Sequence, residues 1–240
     1  MRWWWREIAG LVLPVACGGC GRPRTPLCEE CGGRLEGPPA RARPCPEPRG
    51  LPVVFAAARY EDAVRAVLLA HKERGALGLA GPLGTALAGA VRSAMPQAPD
   101  GREPLLLVPV PSAPRAVRAR GHDPARRIAV AAALALRRTG TYARALPVLR
   151  QRRTVADQSG LTARRRLANM AGALEVASGA ERLLAAHAAV LVDDVMTTGA
   201  SLAEAARALR AASGGRSSRY TRMSAAVVAA PPLSFETNRN

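Results

Sequence analysis

Aromatic side chains are nearly missing from this chain: three Trp, three Tyr and two Phe in 240 residues, with the tryptophans spent in one run, Trp3-Trp4-Trp5. Proteins that hold single-stranded nucleic acid usually stack bases on aromatic rings, and that platform is hard to build here. Any nucleic-acid contact would lean on arginine and phosphate and would be salt-sensitive. Lysine is rarer still, Lys72 being the only one among 35 basic residues. Acids are few as well, 18 against 35, which leaves a net charge of +17 and a pI of about 11.4. That balance favours phosphates, nucleic acid or an anionic membrane as partners, although part of the arginine and alanine excess fits a coding preference. Long apolar runs are absent: nothing approaches the roughly 18–20 residues of a membrane helix. A short apolar stretch, Ile8 to Ala16, follows Arg2 and Arg6 in the manner of a signal segment. Pro14 interrupts it, no small-residue cleavage site follows, and Cys17 belongs to a pair, so the expectation is an amphipathic lead-in to a cytoplasmic protein.

What is present is a globular composition, 48% hydrophobic and 22% charged, in a chain long enough for one sizeable core and a small appendage. The appendage is read in residues 1–50. Cys17-x-x-Cys20 and Cys28-x-x-Cys31 form two knuckles joined by a short linker, a spacing that suits four thiolates around a tetrahedral Zn²⁺. Two disulfides or inert thiols are the alternatives, the former disfavoured in a reducing compartment. Cys45 is left over, either free or part of a degenerate second knuckle. Gly37 to Pro52, rich in Pro and Arg, reads as a linker.

Residues 51–240 follow a different rhythm. Strands are predicted at Val53–Arg59, Leu105–Val110, Ala145–Leu149, Ala171–Val176, Ala188–Asp193 and Ser224–Ala230. Helices are predicted from Tyr60 to Ala70, about Ala76 to Ser93, about Pro124 to Arg138, and from Ala200. Residues 150–166 read as an arginine-rich loop. Buried apolar strands alternating with helices imply an α/β fold with a mostly parallel sheet, whose ligands bind at the carboxyl ends of the strands. Gly214 to Arg222 and the tail from Pro231 carry no readable function.

Residues 190–201, Val-Leu-Val-Asp-Asp-Val-Met-Thr-Thr-Gly-Ala-Ser, sit at such an end and are the most informative stretch. A buried strand runs into two adjacent carboxylates, then hydroxyls and a glycine, then a helix. Free N–H groups and the positive end of the helix dipole suit the loop to a phosphate monoester. Thr197, Thr198 and Ser201 add hydroxyl donors, Gly199 lets the backbone approach closely, and Ala200 is counted with them as a binding residue of the loop. Asp193 and Asp194 fall where a sugar diol would lie and are able to hold a hydrated Mg²⁺. Neither a P-loop nor a Gly-x-Gly-x-x-Gly fingerprint is present.

The stretch resembles the PRPP-binding motif of type I phosphoribosyltransferases, and the wider chain is similar to the ComF family, the competence-protein-F-like branch of that superfamily. The likeness extends to the cysteine pairs, Ala70-His71-Lys72-Glu73-Arg74-Gly75, Val108-Pro109-Val110-Pro111, Arg120-Gly121-His122-Asp123, and Arg153-Thr154 through Gln158, Leu161, Arg166 and Asn169. It implies a type I phosphoribosyltransferase-like sheet with a small N-terminal four-cysteine zinc module, and PRPP with Mg²⁺ as ligand. It also implies a role in DNA uptake and natural transformation, with single-stranded DNA and a DNA-translocating ATPase as partners. In the superfamily the loop after the strand Leu105–Val110 touches pyrophosphate, which here falls to Ser112, Arg115 and local amides. A mobile loop closing over ribose and pyrophosphate corresponds to the segment of Arg153, Thr154 and Gln158, arginine being apt for phosphate. The run Arg164–Arg166 reads as a solvated helix face. Lys72, kept as lysine in an arginine-saturated chain, is a candidate point charge near pyrophosphate. His122 is a weak general-base candidate; His71 and His187 are read as structural. The alternative function is an active phosphoribosyltransferase acting on an unknown acceptor.

Overall fold

The structure is a computed structural model and describes residues 15–95, 103–156, 160–212 and 223–235. Trp3 to Trp5, Gln158 and Gly214 to Arg222 therefore lie outside the described residues.

Among the described residues six strands form one sheet. In chain order they are β1 (Ala40–Ala42), β2 (Val53–Arg59), β3 (Leu105–Pro109), β4 (Ala143–Ala145), β7 (Ala189–Val195) and β8 (Ser224–Ala230), ordered in space β1-β2-β8-β7-β3-β4. Only β1 runs antiparallel; every other pairing is parallel. A separate antiparallel hairpin is made by β5 (Leu149–Gln151) and β6 (Leu174–Val176).

The period-2 geometry of strands sorts the sheet's side chains into two cores. Along β8, Ala226 and Val228 join one cluster while Ala225 and Val227 join the other. β7 does the same, Val190 and Val192 facing one way and Leu191 the other. The first face is covered by α2 (Asp62–Glu73), α3 (Ala80–Ala94) and α5 (Pro124–Arg138), the second by α8 (Ala200–Ala212) and the β5–β6 hairpin. Alanine does the filling that aromatics do elsewhere. The helices α3 and α5 approach so closely that a Cβ on Gly84 would lie 2.4 Å from the Cβ of Ala131.

The remaining helices are α1 (Glu29–Gly33), α4 (Pro114–Arg120), α6 (Ala163–Met170) and α7 (Glu181–Ala186). Among the described residues no helix is long and apolar enough to cross a membrane.

Several sequence expectations need correction. The supposed linker at 37–52 contains β1, which pairs Ala40 with Ala56 and so ties the N-terminal segment into the main sheet. The single strand expected over Ala145–Leu149 is two strands in different sheets, split at Leu146-Pro147-Val148 because Pro147 has no N–H to donate. The loop expected over 150–166 begins as β5 and ends in α6, whose N-cap Thr162 accepts from the Arg165 amide at 3.4 Å. The loop expected after Leu105–Val110 contains α4, with Pro114 in the first turn and left-handed Gly121 (φ +75°) closing it.

Candidate functional site: an arginine-walled crevice

A crevice of about 1330 Å³ opens at the carboxyl ends of β2, β3 and β7. It gathers Lys72, Ser112, Arg115, Arg153, Thr154, Asp193, Asp194, Thr197 and Ser201, from separate stretches of chain. Thr198, Gly199 and Ala200 line an adjoining recess of about 20 Å³, together with Asp193, Thr197 and Ser201. The recess is roughly the room one or two water-sized groups need.

The β7–α8 turn is fixed by the sheet beneath it. Val195 pairs with Ala229, and the Met196 amide donates to the Ala229 carbonyl at 3.0 Å. Gly199 is required twice over: its φ is +74°, and a Cβ there would sit 3.0 Å from Leu51 Cδ1. The first bond of the helix runs from the Ala203 amide to the Gly199 carbonyl. The amides of Thr198, Gly199 and Ala200 meet no acceptor among the described residues, so the turn presents donors to the recess.

The two aspartates differ. Asp194 is buried, and its Oδ2 accepts from Lys72 Nζ at 2.8 Å while Oδ1 accepts from the Val195 amide. Burial alone would raise its pKa, but the Lys72 ammonium outweighs that and holds it below the usual carboxylate value. Asp194 in turn raises Lys72. Asp193 is half-buried and lines the crevice, its Oδ1 accepting from the Asp194 amide at 2.8 Å. Burial and then the neighbouring Asp194 charge push it well above the ordinary value. One carboxylate is thus committed to an internal ion pair, while the other lines both the crevice and the recess.

The facing wall is assembled from side chains. Ser112 donates through its amide and its hydroxyl to Asp123, at 3.3 and 3.4 Å, so its hydroxyl is already engaged. Asp123 also caps α5 by accepting from the Arg126 amide. Arg115 and Arg118 of α4 line the crevice, and no ion pair to either is found among the described residues. Arg120 is tied bidentately to Glu73 at 2.7 and 2.8 Å. Arg153 donates to the carbonyls of Thr154, Asn169 and Ala171, and Asn169 closes that loop by bonding both the amide and the carbonyl of Ala156. Arg166, expected on a solvated face, instead reaches the β7–α8 turn, Nη1 to Thr197 Oγ1 at 3.1 Å. His122 is buried with Nδ1 3.2 Å from the Arg120 carbonyl and Nε2 3.2 Å from the His71 carbonyl, a wall-joining place rather than one open to a ligand. His71 packs edge-on against it.

Sequence reasoning missed the Lys72–Asp194 pair, the Arg120–Glu73 pair and the reach of Arg166. Lys72 and Asp194 are 122 residues apart, and no local pattern announces that meeting.

The four-cysteine cluster stands on the far side of α2. The Sγ atoms of Cys17, Cys20, Cys28 and Cys31 all lie within 4.8 Å of one another, and none is in a disulfide. The Cys17–Cys28 and Cys20–Cys28 separations are 3.7 and 3.6 Å. A tetrahedron of thiolates with Zn–S bonds of about 2.3 Å has edges of about 3.8 Å, so the donor set fits a zinc-type ion. Burial works to raise the Cys17 thiol, yet the amides of Cys20, Cys28 and Gly19 outweigh it and bring it down to about 6. Burial and the neighbouring thiols push Cys31 up to about 12. A bound cation would relieve that conflict. Cys45 is exposed and outside the cluster.

Comparison with protein-family models gives no match for this chain, and comparison with curated proteins gives none either.

Proposed function

We propose that the crevice binds PRPP with Mg²⁺, in a ComF-type protein that serves DNA uptake. The carrying observation is the juxtaposition of an amide-lined turn, an aspartate shared by the crevice and the recess, and an arginine wall. The 5′-phosphate takes the turn from Thr197 to Ser201, where unused N–H groups and the helix dipole favour it. Asp193 receives the ribose diol and helps hold Mg²⁺. Asp194, held by Lys72, keeps that ammonium beside the pyrophosphate, where Arg115, Arg118 and Arg153 add charge. The four-cysteine module holds a structural Zn²⁺, and the protein works in the cytoplasm beside a DNA-translocating ATPase. Single-stranded DNA is held by arginine–phosphate contacts. Its affinity should fall steeply with salt in a gel-shift series, and a salt-independent affinity would remove DNA from the proposal.

The primary test is calorimetry with Mg²⁺–PRPP. Native protein should bind, and Asp193→Asn should bind at least tenfold more weakly. No heat from native protein would sink the reading.

A second reading is an active phosphoribosyltransferase. The crevice exceeds the roughly 300–1,000 Å³ of a typical single-ligand pocket, which leaves room for an acceptor beside PRPP. Pyrophosphate release with a panel of purines, pyrimidines and amines tests it; silence across the panel leaves binding alone.

A further inference from the structure

We propose that the metal-binding knuckle clamps helix α2 and thereby sets the crevice: metal occupancy at Cys17, Cys20, Cys28 and Cys31 controls the order of the turn His71-Lys72-Glu73.

The argument starts from the two sides of α2. Ala63, Val67 and Ala70, spaced four and three residues apart, share one helix face. That face meets the knuckle. Ala63 packs against the buried cysteines. A Cβ on Gly19 would lie 3.4 Å from Val67 Cγ2 and 2.6 Å from Cys31 Sγ; one on Gly18 would lie 3.3 Å from the Cβ of Ala70. The knuckle backbone is therefore seated directly on the helix, with no room for a side chain at either glycine. Lys72 follows Ala63 by nine residues, about two and a half turns, and so emerges on the opposite side. Leu68, Leu69 and Lys72 of that side, with Glu73 at the end of the helix, line the crevice.

The last turn of α2 is also a junction. His71 offers its carbonyl to His122, Lys72 holds Asp194, and Glu73 holds Arg120, three consecutive residues joined to β7, to α4 and to the residue pair that follows α4. Both crevice walls meet at this turn. Its backing on the other side is the core and the knuckle. Without a bound cation four clustered thiols give that backing little rigidity, since such small modules derive much of their folding energy from the metal.

The test is amide hydrogen exchange on the full chain, zinc-loaded against chelator-stripped. Stripping should speed exchange at residues 68–73 at least tenfold while β7 and β8 stay protected. Protection at 68–73 unchanged within twofold would overturn the clamp. If stripping unfolds the whole chain, Val67→Ala with zinc retained decides. About threefold faster exchange at 68–73 supports the clamp, and no change overturns it. A binding arm rests on the phosphosugar reading. Metal loss should weaken Mg²⁺–PRPP at least tenfold, and PRPP should tighten zinc by the same factor. If neither form binds PRPP but the exchange effect is present, the clamp stands and the phosphosugar reading falls.

Discussion

The two walls of the crevice are built on different terms. The β7–α8 wall is one contiguous stretch, 193–201, held from below by strand pairing and a glycine that nothing else replaces. The facing wall draws on α4, β5 and the 152–156 loop, and is held mainly by arginine side chains reaching carbonyls and carboxylates. A wall held by backbone has its geometry before any ligand arrives, whereas a wall held by long side chains can exchange its partners for phosphate oxygens. The comparison teaches that the fixed wall supplies position and the other supplies charge.

The largest expected effect comes from cutting the Lys72–Asp194 ion pair, which roots the fixed wall to α2. Lys72→Met leaves the Asp194 carboxylate buried and unpaired and should cost about 3 kcal/mol at neutral pH by denaturant unfolding. Adding Asp194→Asn should recover most of that loss; a strictly additive double variant would show the pair is not coupled. Next is Glu204→Gln. Glu204 is buried and accepts from the Leu174 amide and from Arg207, which also donates to the Leu174 carbonyl, so it moors the β5–β6 hairpin to α8. The loss should be about 2 kcal/mol. Burial works to raise Glu204, but Arg207 and the amide donors win and depress it. Its contribution is therefore present above the unfolded pKa and is lost as pH falls through the folded value. The acid-side decline in stability should flatten in the variant.

Smaller and opposite in sign is Asp193→Asn. Because the folded pKa of Asp193 is raised, its charged form opposes folding, and that penalty grows as pH rises from the unfolded value toward the folded one. The variant should be more stable than native at pH 7, with the gain shrinking as pH falls into the ordinary carboxylate range, even as it loses ligand. A less stable variant at pH 7 would contradict the assignment. Smallest is Arg115→Ala with Arg118→Ala. Stability should change by less than about 0.5 kcal/mol. The slope of log affinity against log salt for a single-stranded oligonucleotide should flatten by about one unit or a little more.

The same contrast explains what could be read in the sequence. The strand, acid pair, hydroxyls and helix of 190–212 are adjacent in the chain, so short-range rules place them together, and Pro124 to Arg138 and Ser224 to Ala230 were legible for the same reason. The four-cysteine cluster was legible because its spacing is itself the chemistry. β1 was missed because three residues carry no periodicity and owe their extended form to the partner strand. The β5–β6 hairpin was missed because Leu149 and Val176 pair across 27 residues, and its mooring lies on another helix. Arg166 looked solvated because a run of three arginines says nothing about which one meets Thr197.

The sheet has one more consequence. Its two borders, β1 and β4, are only three residues long, while the long apolar strands β2, β3, β7 and β8 lie inside. Among the described residues, each border strand gives a neighbouring molecule only a three-residue ladder to extend. In a chain nearly half apolar, borders this short work against edge-to-edge association.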